Sequence, residues 1–370
     1  MHTITFYPLG NADTCLVELE GGKKLLFDYA AMRGDKDDDL RADLPEELRG
    51  KLRKAGRDYF DVVAFTHADD DHIHGSTEFF HLKHSKDYQD KDRIAIEELW
   101  VPAALVVDTD EEILEEVKLL RNEARYRLKE GKGIRVFSRA AKLEEWLKSQ
   151  GLRLEDRKHL ISDAGTVVPG FTKENDGVDF FVHSPFAVRN NDILEDKNTC
   201  SIILQASFSV EEMTTDLFLC GDAPYDILQK IVESTKMHKN EDRLRWDVFD
   251  IPHHCSYTAL GDEKGSSKTK PVEEVRWLLE DQAGKGGILV SCSDVIPDMD
   301  TDQPPHKQAY AYYTDVQTKI DGELQVTMQY PKRSKPEPLV IKIQKTGAAV
   351  EKAILGAAPL ISRSTPPRAG

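Results

Sequence analysis

The chain has 370 residues, of which 39% are hydrophobic, with 50 Lys+Arg against 66 Asp+Glu for a formal net charge of −16. That balance excludes a protein that coats long nucleic acid through a generally basic surface, while leaving room for bound cations to create a local positive field. No uninterrupted apolar run approaches the roughly 18 residues of a membrane span, and the opening MHTITFYPLG lacks the pattern of a signal peptide. Five scattered cysteines without a C-x-x-C pair read as reduced thiols, so a cytoplasmic location is expected.

In chain order, Thr3–Tyr7, Cys15–Glu18 and Lys24–Phe27 read as short strands, the last two flanking the turn Glu20-Gly21-Gly22. A charged stretch over 34–57 reads as helix or surface loop, and Asp61–Phe65 (DVVAF) as a buried strand. Glu98–Pro102 is another. Helical spacing of Leu, Ile and Val over 110–149 marks a charged helical insertion at about 108–150. Within it, Arg121–Lys142 holds eight basic residues against two acids, the one basic patch worth testing for polyanion contact, with Arg125, Arg127 and Lys129 at its centre. Strands return at Val178–Val182, Ser201–Ala206, Leu217–Cys220, Val248–Ile251 and Gly287–Ser291, with helices at Asp226–Met237 and Val272–Asp281. Strands near 323–330 and 338–344 close the pattern, and 346–370 reads as a loose tail. Strand–helix alternation with polar clusters at strand ends gives an α/β layered domain over 1–345 that carries its site on loops.

The sharpest feature is Thr66-His67-Ala68-Asp69-Asp70-Asp71-His72-Ile73-His74-Gly75, delivered directly by the DVVAF strand. Imidazole and carboxylate are the ligand types that hold divalent transition metals. In an extended loop His67 and Asp69 point to one side, while Asp71 and His72 reach the other. His74, just before the glycine, reads as a rim residue.

The run resembles the H-x-H-x-D-H signature of the metallo-β-lactamase superfamily, with Asp69 where the second His stands. That substitution is similar to the branch holding the hydrolase domain of the competence DNA-uptake channel and the phosphorylcholine esterases. Further pieces follow in family order: Pro8-Leu9-Gly10-Asn11-Ala12-Asp13-Thr14, Leu25–Asp28, Val182-His183-Ser184-Pro185, Asn198–Ser201, Leu219-Cys220-Gly221-Asp222, Ile251-Pro252-His253-His254-Cys255-Ser256 and Pro305-His306. The chain departs from the pattern at Ala12 and Cys255, each in place of Gly.

The resemblance implies an αββα sandwich and two divalent ions, zinc or manganese given the oxygen-rich donor set. It implies that His67 and Asp69 hold the first ion, Asp71 and His72 the second, and that Asp222 bridges them. One of His253 and His254 completes the second site. Asp28 is expected to orient a ligand histidine, Asn198 to be a weak ligand, and His183 to lie close by. Asp71, His254 and His306 are the candidates for catalytic roles, the histidines as proton donors. Cys255, beside the histidine pair, is a further candidate for a soft metal. The implied activity is hydrolysis by a metal-bridging hydroxide of a phosphodiester such as DNA or a nucleotide. Ester, thioester or lactam hydrolysis, or a metal-stabilised subunit that binds a protein partner, are the other readings.

Overall fold

In the computed structural model the chain is described over residues 1–109, 114–138, 141–186 and 200–352. The first seven strands are β1 (His2–Phe6), β2 (Cys15–Glu18), β3 (Lys24–Phe27), β4 (Tyr59–Ala64), β5 (Ala95–Pro102), β6 (Ile134–Phe137) and β7 (Ile161–Ser162). Six more follow: β8 (Val178–Ser184), β9 (Ile203–Val210), β10 (Met213–Leu219), β11 (Trp246–Ile251), β12 (Ala283–Ser291) and β13 (Glu323–Val326). A short hairpin, β14 (Pro331–Lys332) and β15 (Lys335–Pro336), leads to β16 (Leu339–Gln344) and β17 (Gly347–Val350). One sheet runs β17-β16-β1-β2-β3-β4-β5-β6-β7 and a second runs β13-β12-β11-β10-β9-β8.

Alternation along the strands sets the layers, because successive side chains point to opposite faces of a sheet. On β4, Val62 and Ala64 enter the core between the sheets, while Val63 enters a second core under the helices. On β10, Leu217 and Leu219 face the other sheet, and Phe218 faces a third core under helices of its own. Both faces of both sheets are covered, which is why DVVAF reads as an unbroken apolar run. The result is the helix–sheet–sheet–helix sandwich, αββα.

The covering helices are amphipathic. Helix Leu44–Lys54 is capped by Asp43, which accepts from the Glu46 N–H, and buries Leu44, Leu48 and Leu52. Helix Tyr225–Met237 buries Ile227, Leu228, Ile231 and Val232. Each such side chain contributes about 1.5–3 kcal/mol relative to exposure.

The stretch 108–150 is not helical throughout. Helices Glu115–Glu130 and Ala141–Ser149 flank β6, which pairs in parallel with β5 and extends the first sheet. A four-residue strand is too short to show its own period, so the flanking helical pattern hid it. Within the expected tail, Gly347–Val350 is a strand that pairs antiparallel with β16; residues 353–370 lie outside the described part.

Strand direction positions the site. In the first sheet β3, β4 and β5 are parallel, and in the second β10, β11 and β12 are parallel. The carboxyl ends of β3, β4, β10, β11 and β12 meet at one edge of the sandwich, with the β1–β2 loop beside them.

Candidate metal centre

Each strand end delivers polar residues to that edge. After β4 come Thr66 and His67, then a four-residue helix, Asp70–Ile73, whose N-cap is Asp69 in extended conformation. After β10 comes Gly221 at φ +50°, where a Cβ would approach Thr66 Oγ1 to 3.1 Å. Glycine there lets the two sheet ends close on each other and places Asp222 between them. After β11, His253, His254 and Cys255 all adopt left-handed backbone, at φ 52°, 51° and 66°. Left-handed L-residues cost roughly 1–2 kcal/mol each, so this turn is held by its surroundings.

Asp222 divides its carboxylate. Oδ1 lies 3.2 Å from His72 Nε2 and 3.8 Å from His254 Nε2, whereas Oδ2 lies 3.9 Å from both His67 Nε2 and His253 Nε2. Around Oδ2, His67 Nε2 is 3.7 Å from Asp69 Oδ2. Around Oδ1, Asp71 Oδ2 lies 3.1 Å from His254 Nε2, and Asp71 Oδ1 lies 3.9 Å from His72 Nε2. Asp13, from the β1–β2 loop, approaches His254 Nδ1 at 3.7 Å and His72 Nε2 at 3.9 Å. Ligand atoms of His67, Asp71, His72 and Asp222 all lie within 4.8 Å of one another, as do those of Asp13, Asp222 and His254.

The imidazoles are oriented from behind. Asp28 takes the Thr66 N–H at 2.6 Å and the Thr66 hydroxyl at 2.6 Å, and pairs with His72 Nδ1 at 2.8 Å. The Cys292 carbonyl, 2.8 Å from His254 Nδ1, accepts that ring's N–H. Both contacts turn Nε2 towards the cluster, the support that ligand histidines need. His254, not His253, is therefore the buried partner of Asp71 and His72. His253 is 30% exposed at the mouth, its Nδ1 3.4 Å from the Thr258 hydroxyl.

Burial and mutual charge shift the group strongly. Burial disfavours the His254 cation, yet Asp222, Asp13 and Asp71 lift its pKa to about 10. His72 is likewise raised well above its ordinary value against burial, by Asp222 and Asp28. Burial and the neighbouring His72 push His67 down to about 3. For Asp222, burial is outweighed by His254 and His72, which hold it well below the usual carboxylate range. Burial raises Asp13 to about 6, against the pull of His254 and His72. The cluster thus offsets its carboxylates with imidazolium protons, and His67 keeps a free lone pair.

The donor set fits divalent cations. His67 Nε2, His72 Nε2 and Asp222 Oδ1 are buried without a hydrogen-bond partner among the described residues; the 3.2 Å approach of His72 to Asp222 does not meet hydrogen-bond geometry. Leaving one such group unsatisfied costs about 1–3 kcal/mol, and here three converge on a common space. Cations placed there would satisfy all three.

The structure brings together His67, Asp69, Asp71, His72, Asp222, His253 and His254, with Asp28 behind them. Other expectations need correction. His183 is turned away: Phe180 and Val182 face the core between the sheets, whereas His183 stacks on Phe218 and donates Nε2–H to the Arg243 carbonyl at 2.9 Å. Burial pushes its pKa down to about 3. His306 is no free proton donor, because Nδ1 accepts from the Tyr257 N–H at 3.3 Å and Nε2 faces the Asp302 carbonyl at 3.4 Å. The Cys255 thiol is packed in the core beneath the second sheet's helices. Asn198 lies outside the described residues.

Two of the three central cations of the basic patch are engaged inside the fold. Arg127 is 1% exposed, bound to Glu123 at 2.6 Å and to the Ile96, Glu97 and Gly133 carbonyls. Arg125 donates to the Val106 and Asp108 carbonyls, each at 2.8 Å. Lys129 is exposed but lies over Trp146. Arg127 thus ties its helix to the first sheet, while Lys129, Lys132 and Lys142 stay exposed.

Sequence reasoning missed Asp13 and Asp250. Asp13 stands in the Gly10–Thr14 element but carries no neighbouring His to mark it as a donor. Asp250 is the inward residue at the end of β11, buried, and its carboxyl is pushed well above the usual range by burial and by Asp13 and Asp28. Its only signal is a carboxylate inside the apolar run Val248–Ile251.

No family model and no curated protein matches the chain. Among solved structures it is similar to a diphosphatase of the PhnP family (11% identity, TM-score 0.36, covering 93% of this chain and 98% of that one). It is also similar to a protein from Parabacteroides distasonis described as a candidate metal-dependent hydrolase (9% identity, TM-score 0.34, covering 87% and 92%). The site's own geometry, not these distant likenesses, carries the functional reading.

Proposed function

We propose that the protein is a metal-dependent hydrolase acting on small phosphodiesters or nucleotides, with two divalent cations held on either side of Asp222. The observation that carries this reading is the divided carboxylate: Oδ1 and Oδ2 of Asp222 face two different sets of imidazoles. His67, Asp69 and Asp222 would hold one cation, and Asp71, His72, His254, Asp13 and Asp222 the other. When bound, such a pair supplies Lewis acidity and makes hydroxide available near neutral pH.

The chain's own residues set the rest. Asp28 and the Cys292 carbonyl fix the tautomers of His72 and His254, so both present an unprotonated Nε2 once cations replace the protons. Because both nitrogens of His254 and of His306 are engaged, the proton for a leaving oxygen falls to His253. It is the partly exposed imidazole at the mouth, with Nε2 directed at the cluster. Phosphodiester is preferred over acyl substrates because a cation pair matches the charge that builds on phosphoryl oxygens. A small diester is preferred over long DNA because Arg125 and Arg127, at the centre of the basic segment, are bound inside the fold and the chain carries −16 overall.

The test is hydrolysis by chelated protein reconstituted with zinc or manganese, on bis(p-nitrophenyl) phosphate, p-nitrophenyl acetate and a fluorescent oligonucleotide. Metal-dependent cleavage of the diester, exceeding that of the other two, supports the reading. Cleavage confined to the acetate, or unaffected by chelation, overturns it.

A further inference from the structure

The turn His253–Cys255 presents both histidines to Asp222, yet it is three consecutive non-glycine residues in left-handed backbone. Something must hold it. The His253 N–H donates to the carbonyl of Gly221, in the loop after β10, at 3.2 Å. Inside the turn, the Ser256 N–H donates to the His253 carbonyl at 2.8 Å. The third restraint comes from a residue some fifty positions away. The His306 N–H donates to the Cys255 carbonyl at 3.1 Å, its Nδ1 accepts the Tyr257 N–H at 3.3 Å, and its ring meets Tyr257 edge-on at 5.0 Å between centroids. His306 is itself buried, with Nε2 towards the Asp302 carbonyl.

We propose that His306 is a positioning residue that clamps the left-handed His253–Cys255 turn from its far side and so aligns His253 and His254 on Asp222. The backbone of residue 306 grips the turn at Cys255 and the imidazole grips it at Tyr257, two residues on. A side chain lacking an acceptor in place of Nδ1 leaves the Tyr257 N–H unpaired and frees the turn to relax away from left-handed geometry. The proposal builds on the metal-centre reading for its consequence, but the clamp itself exists in the metal-free chain.

Two features make it testable. Asn at 306 offers an amide oxygen near the place of Nδ1, whereas Ala offers nothing. Glycine at 255 adopts positive φ without strain, so it lowers the need for a clamp. Backbone hydrogen exchange over 253–258 in the chelated protein reads the clamp directly, and zinc titration with a competing fluorescent chelator reads its consequence. The expected result is at least 10-fold faster exchange in His306→Ala, near-normal exchange in His306→Asn, and zinc affinity reduced 10-fold or more only in the alanine variant. Adding Cys255→Gly to His306→Ala should recover most of that affinity. Unchanged exchange in His306→Ala, or an affinity loss that Asn and Cys255→Gly leave untouched, overturns the clamp. If the unaltered protein binds no zinc while exchange responds as described, the metal-centre reading fails and the clamp stands.

Discussion

Raising the pH of chelated protein should destabilise it in a range where most proteins are indifferent. His254 titrates at about 10 in the folded chain, against an ordinary 6.5. A raised histidine stabilises the fold fully below its unfolded value and loses that contribution as pH climbs towards its folded value. Between pH 6.5 and 8 the folded state retains a proton that the unfolded state has released, which removes about 1.5 kcal/mol through His254 alone. His72, raised in the same direction, adds to that loss, while the lowered His67 and His183 offset a small part of it. The window stops at pH 8 because the buried thiols Cys15, Cys220, Cys255 and Cys292, all raised by burial, add a similar loss above it. The assay is urea unfolding of EDTA-treated protein at fixed ionic strength, read as the free energy at each pH. With saturating zinc the slope should reverse, because cations and protons compete for the same nitrogens and metal affinity rises with pH. Chelated protein whose stability is flat or rising from pH 6.5 to 8 would refute the electrostatic account of the cluster.

Other expectations are simpler. Asp28→Asn leaves every proposed ligand in place but keeps only one acceptor oxygen, which the Thr66 N–H and the His72 Nδ1–H must compete for, so zinc affinity or turnover should fall 10–100-fold, measured by titration and diester hydrolysis. Arg127→Leu removes the guanidinium from the buried Glu123 carboxylate, leaving it only its His84 contacts, and should cost about 3 kcal/mol in urea unfolding. Lys129→Ala should leave kcat/KM on a diester within about 2-fold, since its side chain lies over Trp146 away from the cluster. His253→Ala should lower kcat while both cations still bind by titration, whereas His254→Ala should weaken binding itself, by about 100-fold or more.

Much of the site was legible because its chemistry is local. His67 through His72 sit within one short loop, and the strand before it is apolar enough to stand out. The partners across the sandwich, Asp222 and the His253–His254 pair, also follow apolar strands and could be found at their ends. What periodicity could not show was side-chain direction. His183 was expected near the others through the resemblance of Val182-His183-Ser184-Pro185, but it falls on the odd face of β8 and stacks on Phe218 under the outer helices. Arg127 read as a surface charge because buried arginine is rare; its guanidinium instead pairs with Glu123 four residues away and with carbonyls of the neighbouring sheet. His306 was placed in the right neighbourhood with the wrong task, since only coordinates reveal that both ring nitrogens are already engaged. Asp13 was hidden for the opposite reason: a single carboxylate in a loop has no pattern until folding sets it against two imidazoles.

The most direct measurement is a crystal structure of manganese- or zinc-soaked protein with anomalous data collected at the metal edge, beside the same measurement on Asp222→Asn. Two anomalous peaks per chain, one on each side of the Asp222 carboxylate and both lost in the variant, are the result expected. A single peak remote from Asp222, or two peaks that survive its replacement, would contradict the claim that this carboxylate joins a pair of cation sites.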